Sequence, residues 1–205
     1  MNSLAIDYTR AIFGLEQKGK ELYGSDFKTE AGDREILCRL ICYFLRDEPV
    51  AEKLGIKLNK GILLTGPIGS GKTSLMNLMR YFRPTQERFI LRPCREVSFE
   101  FIKSGYDTIH KYSHFSFEGP EPRAYCFDDL GVENNLKFFG NECNVMAEVI
   151  LSRYDLFVNR KLITHLTTNL SASEIEKVYG NRVRSRLREM MNLVSFGRTV
   201  RDKRG

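Results

Sequence analysis

The chain has no tryptophan, only three histidines and no Cys-x-x-Cys pair. Its five cysteines, Cys38, Cys42, Cys94, Cys126 and Cys143, are scattered. That pattern argues against a disulfide framework or a zinc ribbon and for reduced, buried thiols. His110 and His114 are one helical turn apart but have no third ligand nearby, so they read as polar surface side chains rather than zinc ligands. No apolar run approaches the roughly 20 residues needed to span a bilayer. The segment Met1 to Asp7 has neither the basic start nor the apolar core of a secretory signal. The expectation is a cytoplasmic protein without a membrane segment. The absence of tryptophan excludes nothing.

What is present is ordinary in bulk. With 205 residues, 42% hydrophobic and 28% charged, the chain has the size of one domain with room for a small appendage. The net charge of +6 is unevenly placed. Between Arg182 and Gly205 stand eight cations, Arg182, Arg184, Arg186, Arg188, Arg198, Arg201, Lys203 and Arg204, opposed only by Glu189 and Asp202. That segment carries the whole excess. Such a basic end suits phosphate, of nucleic acid or of a nucleotide on a neighbouring subunit. A solvated tail accounts for the last few residues equally well.

Residues 1–32 are weakly patterned and read as an N-terminal extension: a short helix over Tyr8 to Leu15, with Gly14, Gly19 and Gly24 breaking continuity. Asp33 is placed to cap a helix running to about Arg46, with Ile36, Leu37, Leu40, Ile41 and Phe44 on one face. From there to residue 205, strands and helices alternate. Strands are expected at Gly61–Thr65, Arg88–Leu91, Arg123–Phe127, Leu162–Thr167 and Leu193–Phe196. Helices are expected at Thr73–Phe82, Glu96–Ser104, Tyr106–His114, Asn144–Val158, Ala172–Tyr179 and Asn181–Met190. Gly119-Pro120-Glu121-Pro122 reads as a turn. The alternation predicts an α/β fold of three αβα layers on a mostly parallel sheet, with ligands at the carboxyl ends of the strands.

Four elements carry chemistry. Gly66-Pro67-Ile68-Gly69-Ser70-Gly71-Lys72-Thr73 matches the whole P-loop pattern, between an apolar strand and a helix. Gly66, Gly69 and Gly71 let the backbone wrap phosphates, and the helix N-terminus through Ser74 adds donors and partial positive charge. Lys72 reaches the β- and γ-phosphates, and Thr73 offers its hydroxyl to Mg²⁺. The second element, Ala124-Tyr125-Cys126-Phe127-Asp128-Asp129, is an apolar strand ending in two carboxylates. Asp128 suits Mg²⁺, and Asp129 suits orienting or deprotonating a water. The third, Leu166-Thr167-Thr168-Asn169, ends a strand in an amide. Asn169 either contacts the γ-phosphate or its water, or caps the helix that starts near Ala172. The fourth is Gly180-Asn181-Arg182-Val183-Arg184-Ser185-Arg186-Leu187. Its closely spaced arginines repel unless an anion receives them, and one offered to another subunit's phosphate acts as a finger.

In this order, these motifs resemble the AAA+ ATPases of the DnaC and IstB type, which are bacterial replicative-helicase loaders and transposition helper ATPases. The resemblance runs from about Asp33 to Arg198. It implies an AAA+ core over residues 33–205, ATP and Mg²⁺ as cofactors, and assembly into a ring or spiral homo-oligomer. It also implies DNA binding and a replicative helicase or transposase as client. By position it makes Lys72 and Thr73 Walker A, Asp128 and Asp129 Walker B, Asn169 sensor 1, Arg186 the arginine finger and Arg182 its accompanying basic residue. Three features depart from the pattern. Asp129 stands where the family usually has Glu, one methylene longer. The sequence stops soon after the last strand, so neither a helical lid nor a sensor 2 arginine is expected. Residues 1–30 match no partner-binding module. Two other readings use the same P-loop, a small-molecule or nucleotide kinase and an ATP-bound scaffold that does not hydrolyse.

Overall fold

The computed structural model describes residues 6–115, 123–133, 136–138 and 141–197. The expected turn at 119–122 and the cations Arg198, Arg201, Lys203 and Arg204 lie outside the described residues. At the centre is a five-stranded parallel sheet. Its strands are β1 (Gly61–Thr65), β2 (Ile90–Pro93), β3 (Tyr125–Leu130), β6 (Thr164–Thr168) and β7 (Met191–Ser195), arranged β2-β3-β6-β1-β7. Two three-residue strands, β4 (Leu136–Phe138) and β5 (Asn141–Cys143), form a separate antiparallel pair. They are too short to leave an alternation in the sequence.

Alternate side chains of the sheet supply two cores. Leu63, Tyr125, Phe127, Leu166 and Met191 face one core, which is completed by α5 (Cys94–Ser104), α6 (Tyr106–Tyr112), α7 (Val145–Arg160) and α8 (Ala172–Met190). Ile62, Leu64, Cys126 and Val194 face the other. There they meet α1 (Tyr8–Tyr23), α2 (Arg34–Phe44), α3 (Glu48–Lys53) and α4 (Lys72–Met79). Burying both faces makes central strands such as β1 continuously apolar, as the sequence shows. The register holds the backbones close. A Cβ built on Gly61 would lie 1.7 Å from the Thr164 carbonyl oxygen.

Helix α1 is twice the length read from the sequence, because Gly14 and Gly19 do not interrupt it. A helical glycine costs about 1 kcal/mol, and packing exceeds that here. Leu15 is buried in the second core, and Gly19 is a notch that receives the Phe27 ring, 2.1 Å from where a Cβ would stand. Asp33 sits at the N-terminus of α2, but its carboxylate accepts from the Glu30 N–H at 3.0 Å rather than capping the helix. Helix α8 bends at Gly180 (φ 84°, ψ 162°), so its halves match the two helices read from the sequence.

Two ionisable groups are buried at the amino ends of the strands. Arg153 on α7 is fully buried. It donates to Thr164 Oγ1 and to the carbonyls of Tyr112, Arg123 and Ile163, at 2.7–3.2 Å. Burial pulls its pKa down to about 9, which still leaves it cationic at neutral pH. His165 on β6 accepts the Ile62 N–H at Nδ1 (3.1 Å) and packs among Tyr43, Phe44 and Phe89. Burial, helped by the Arg153 charge, lowers its pKa from 6.5 to about 3. Among the described residues no helix is long and apolar enough to cross a membrane.

The His165 shift predicts a pH dependence. Unfolded, the imidazole takes up a proton below its ordinary value of 6.5, whereas folded it stays neutral down to about 3. Its contribution is complete above that upper value and is lost as pH falls. Urea unfolding of His165→Asn, which keeps an acceptor, should show a stability–pH slope shallower by up to about 1.4 kcal/mol per unit between about pH 6 and 4. Equal slopes would contradict the neutral, buried imidazole.

Candidate functional site

The loop between β1 and α4 turns twice through the left-handed region, at Gly69 (φ 78°) and Gly71 (φ 84°). Glycine adopts that backbone freely, which closes the loop and starts α4 at Lys72. Gly66 is tight for another reason, since a Cβ there would meet the Phe196 Cβ at 2.7 Å. The Lys72 side chain is buried, and among the described residues four oxygens gather its Nζ. They are the carbonyls of Gly66 (3.0 Å) and Pro67 (2.9 Å), Ser70 Oγ (3.5 Å) and Asn169 Oδ1 (2.5 Å). Asn169 therefore points at the P-loop lysine. The cap of α8 is Ser171, which forms a reciprocal capping box with Glu174.

Asp128 is 5% exposed at the end of β3. Its carboxylate accepts from Thr73 Oγ1 (2.8 Å) on α4 and from Thr167 Oγ1 (2.6 Å) on β6. Burial raises its pKa above the ordinary 3.8, while the two hydroxyls pull the other way. The β3–β6 register shifts between Phe127 and Leu130, and Asp129 takes a left-handed backbone (φ 56°). Such an outlier in a non-glycine residue is strained, and here a second bond of Thr167 holds it. Thr167 Oγ1 accepts the Asp129 N–H at 2.8 Å. The bulge directs Asp129 into a cleft of about 630 Å³.

That cleft is lined by Ile68 to Ser74, Asp129 and Asn169, with Gly66 and Pro67 contributing through their bonds to Lys72. Its other wall was not legible in the sequence. Tyr23, Phe27, Thr29 and Glu30, from the end of α1 and the segment after it, line it together with Phe196. Glu16 anchors that segment by accepting from both N–H and hydroxyl of Thr29 at 2.9 and 2.5 Å. Thr167 was also missed, because a threonine inside a strand carries no signal of what its hydroxyl will meet. Arg182 and Arg186 do not line this cleft.

The residues present fit a magnesium nucleotide. The cleft has the size of a small-ligand site, and glycine-rich backbone, a helix N-terminus and a buried ammonium converge on it. Thr73 directs its proton to Asp128, leaving its lone pairs free, so the pair offers the hard oxygens that Mg²⁺ prefers. Thr73 and Asp128 would hold the metal, and Lys72 the phosphates.

No protein-family model and no curated protein matches this sequence. Solved structures do. The DnaC helicase loader superposes with a TM-score of 0.59 at 19% identity, over 83% of this chain and 93% of that one. DnaI gives 0.54 at 18% identity, over 88% and 94%. AMPPCP-bound DnaA from Aquifex aeolicus gives 0.52 at 17% identity, over 83% of this chain and 48% of that one. The chain shares their fold. It is the three-layer α/β architecture of P-loop nucleotide-binding proteins.

Thr167→Val should raise the Asp128 pKa further by removing one hydroxyl donor. A group already raised loses stability as pH climbs through its titration, so the variant should lose more than the wild type as pH rises above the ordinary 3.8. The expected cost at neutral pH is about 1–3 kcal/mol. Carboxyl ¹³C titration of Asp128 reads the shift directly, and an unmoved midpoint would mean that Thr167 does not hold the carboxylate in its ionised form.

Proposed function

We propose that this protein is a magnesium-dependent ATPase of the AAA+ type that works as a homo-oligomer on DNA. Helicase loading during replication, or transposition, is the process it would assist in the cytoplasm. The observation that carries this reading is the convergence of Lys72, Asn169, Thr73, Asp128 and Asp129 at the carboxyl ends of β1, β3 and β6. The structural likeness to a helicase loader and to an AMPPCP-bound protein supports it.

Each residue has a distinct task. Lys72 balances phosphate charge, and Thr73 with Asp128 holds Mg²⁺, whose chemistry is to neutralise charge on the phosphate oxygens. Asn169 positions Lys72 and the terminal phosphate. Asp129, which lines the same cleft, orients the attacking water. Arg182 and Arg186 lie outside their own chain's cleft, which favours their serving a neighbour's. In a ring or spiral, Arg186 is the finger that completes the adjacent site, and Arg182 is the basic residue beside it. Hydrolysis then depends on assembly, and DNA binding on salt.

ATP hydrolysis measured across protein concentration, with and without DNA, tests this. Specific activity should rise with concentration. Lys72→Ala should lose ATP binding. Arg186→Ala should bind ATP normally but hydrolyse it about 10³-fold more slowly. Activity that is independent of concentration and survives Arg186→Ala would reject the shared site.

A further inference from the structure

The arginines of α8 are held differently. Arg184 pairs with Glu176 across the bend at Gly180, and Arg182 is exposed. Arg186 is clamped. Its guanidinium carbon lies 4.3 Å from the centroid of the Tyr154 ring on α7. One nitrogen, Nη1, donates to Tyr154 Oη at 3.2 Å and lies 3.8 Å from Glu189 Oε2. The tyrosine hydroxyl in turn donates to that same Glu189 oxygen at 2.7 Å. Arg186 thus has a ring against its face and one corner tied, while Nε and Nη2 have no hydrogen-bond partner among the described residues. Those two nitrogens form the edge that grips two oxygens of a phosphate in parallel.

A free arginine on a helix surface samples many rotamers and loses that freedom on engaging a phosphate. Stacking on Tyr154 removes it beforehand, and the tie through Nη1 selects which edge is presented. We propose that Tyr154, with Glu189, is a positioning residue that presents the Nε and Nη2 edge of Arg186 to the terminal phosphate on a neighbouring subunit. This rests on the shared-site reading above. It adds a residue on a different helix, outside every motif, whose task is to set the finger's orientation.

The test is a mixing experiment. Arg186→Ala subunits supply intact ATP sites without fingers, and Lys72→Ala subunits supply fingers without ATP sites. Lys72→Ala donors with Tyr154 intact should restore hydrolysis to the mixture. Donors carrying Tyr154→Leu as well should restore it at least about 10-fold less, through kcat and with KM for ATP unchanged. Tyr154→Phe donors keep the ring and should fall in between. Independently of activity, side-chain ¹⁵Nε relaxation of Arg186 in the isolated protein should report a restricted Nε–H bond in wild type and a freely moving one in Tyr154→Leu. Restoration by folded Tyr154→Leu donors at the level of donors with Tyr154 intact overturns the proposal. If donors with Tyr154 intact restore nothing, the shared-site reading fails and the proposal falls with it.

Discussion

A carboxylate buried at the end of a parallel strand must be hydrogen-bonded or it will not stay ionised. Asp128 meets that constraint by accepting from Thr73 and Thr167, and so it ties α4 to β3 and β6. The same Thr167 hydroxyl receives the Asp129 N–H, which fixes the bulge that places the second carboxylate in the cleft. Lys72, at the same sheet edge, is gathered by loop carbonyls and by Asn169. Three strands and one helix N-terminus are thereby locked into a single polar cluster.

The opposite edge of the sheet solves a related problem differently. Arg153 keeps its charge by facing backbone carbonyls and aromatic rings. His165 gives its charge up and serves as an acceptor for a strand N–H. Both fix where strands begin, and neither is open to solvent. At the carboxyl edge Lys72, Thr73, Asp129 and Asn169 line a cleft, whereas Arg153 and His165 at the amino edge are consumed by the fold. This division is what an open α/β sheet produces, because ligands bind in the crevice beyond the carboxyl ends of its strands.

Much of this was legible in the sequence because it depends on local pattern. The P-loop reads from eight consecutive residues, and β1 and β3 from apolar runs buried on both faces. The bend in α8 reads from Gly180. The remainder depends on contacts far apart in the chain. Gly14 and Gly19 argue locally against a long α1, and only packing against residues such as Phe27 overrules them. The wall made by residues after α1 is invisible for the same reason, since nothing in Tyr23 or Thr29 announces a cleft. Thr167 lies inside a strand read correctly, yet its two hydrogen bonds reach Asp128 and Asp129, 39 and 38 residues away. Tyr154 looks like one more apolar position of an amphipathic helix, and only the approach of α8 gives its hydroxyl a purpose.

The function proposed above joins nucleotide binding at this cluster to self-association, with Arg182 and Arg186 standing outside the cleft of their own chain. Sedimentation velocity in the presence of magnesium and a non-hydrolysable ATP analogue tests that join most directly. A larger species should form with the analogue, be absent with ADP or with EDTA, and fail to form for Lys72→Ala. A chain that binds the analogue tightly yet sediments as a monomer at every concentration would contradict a site shared between subunits.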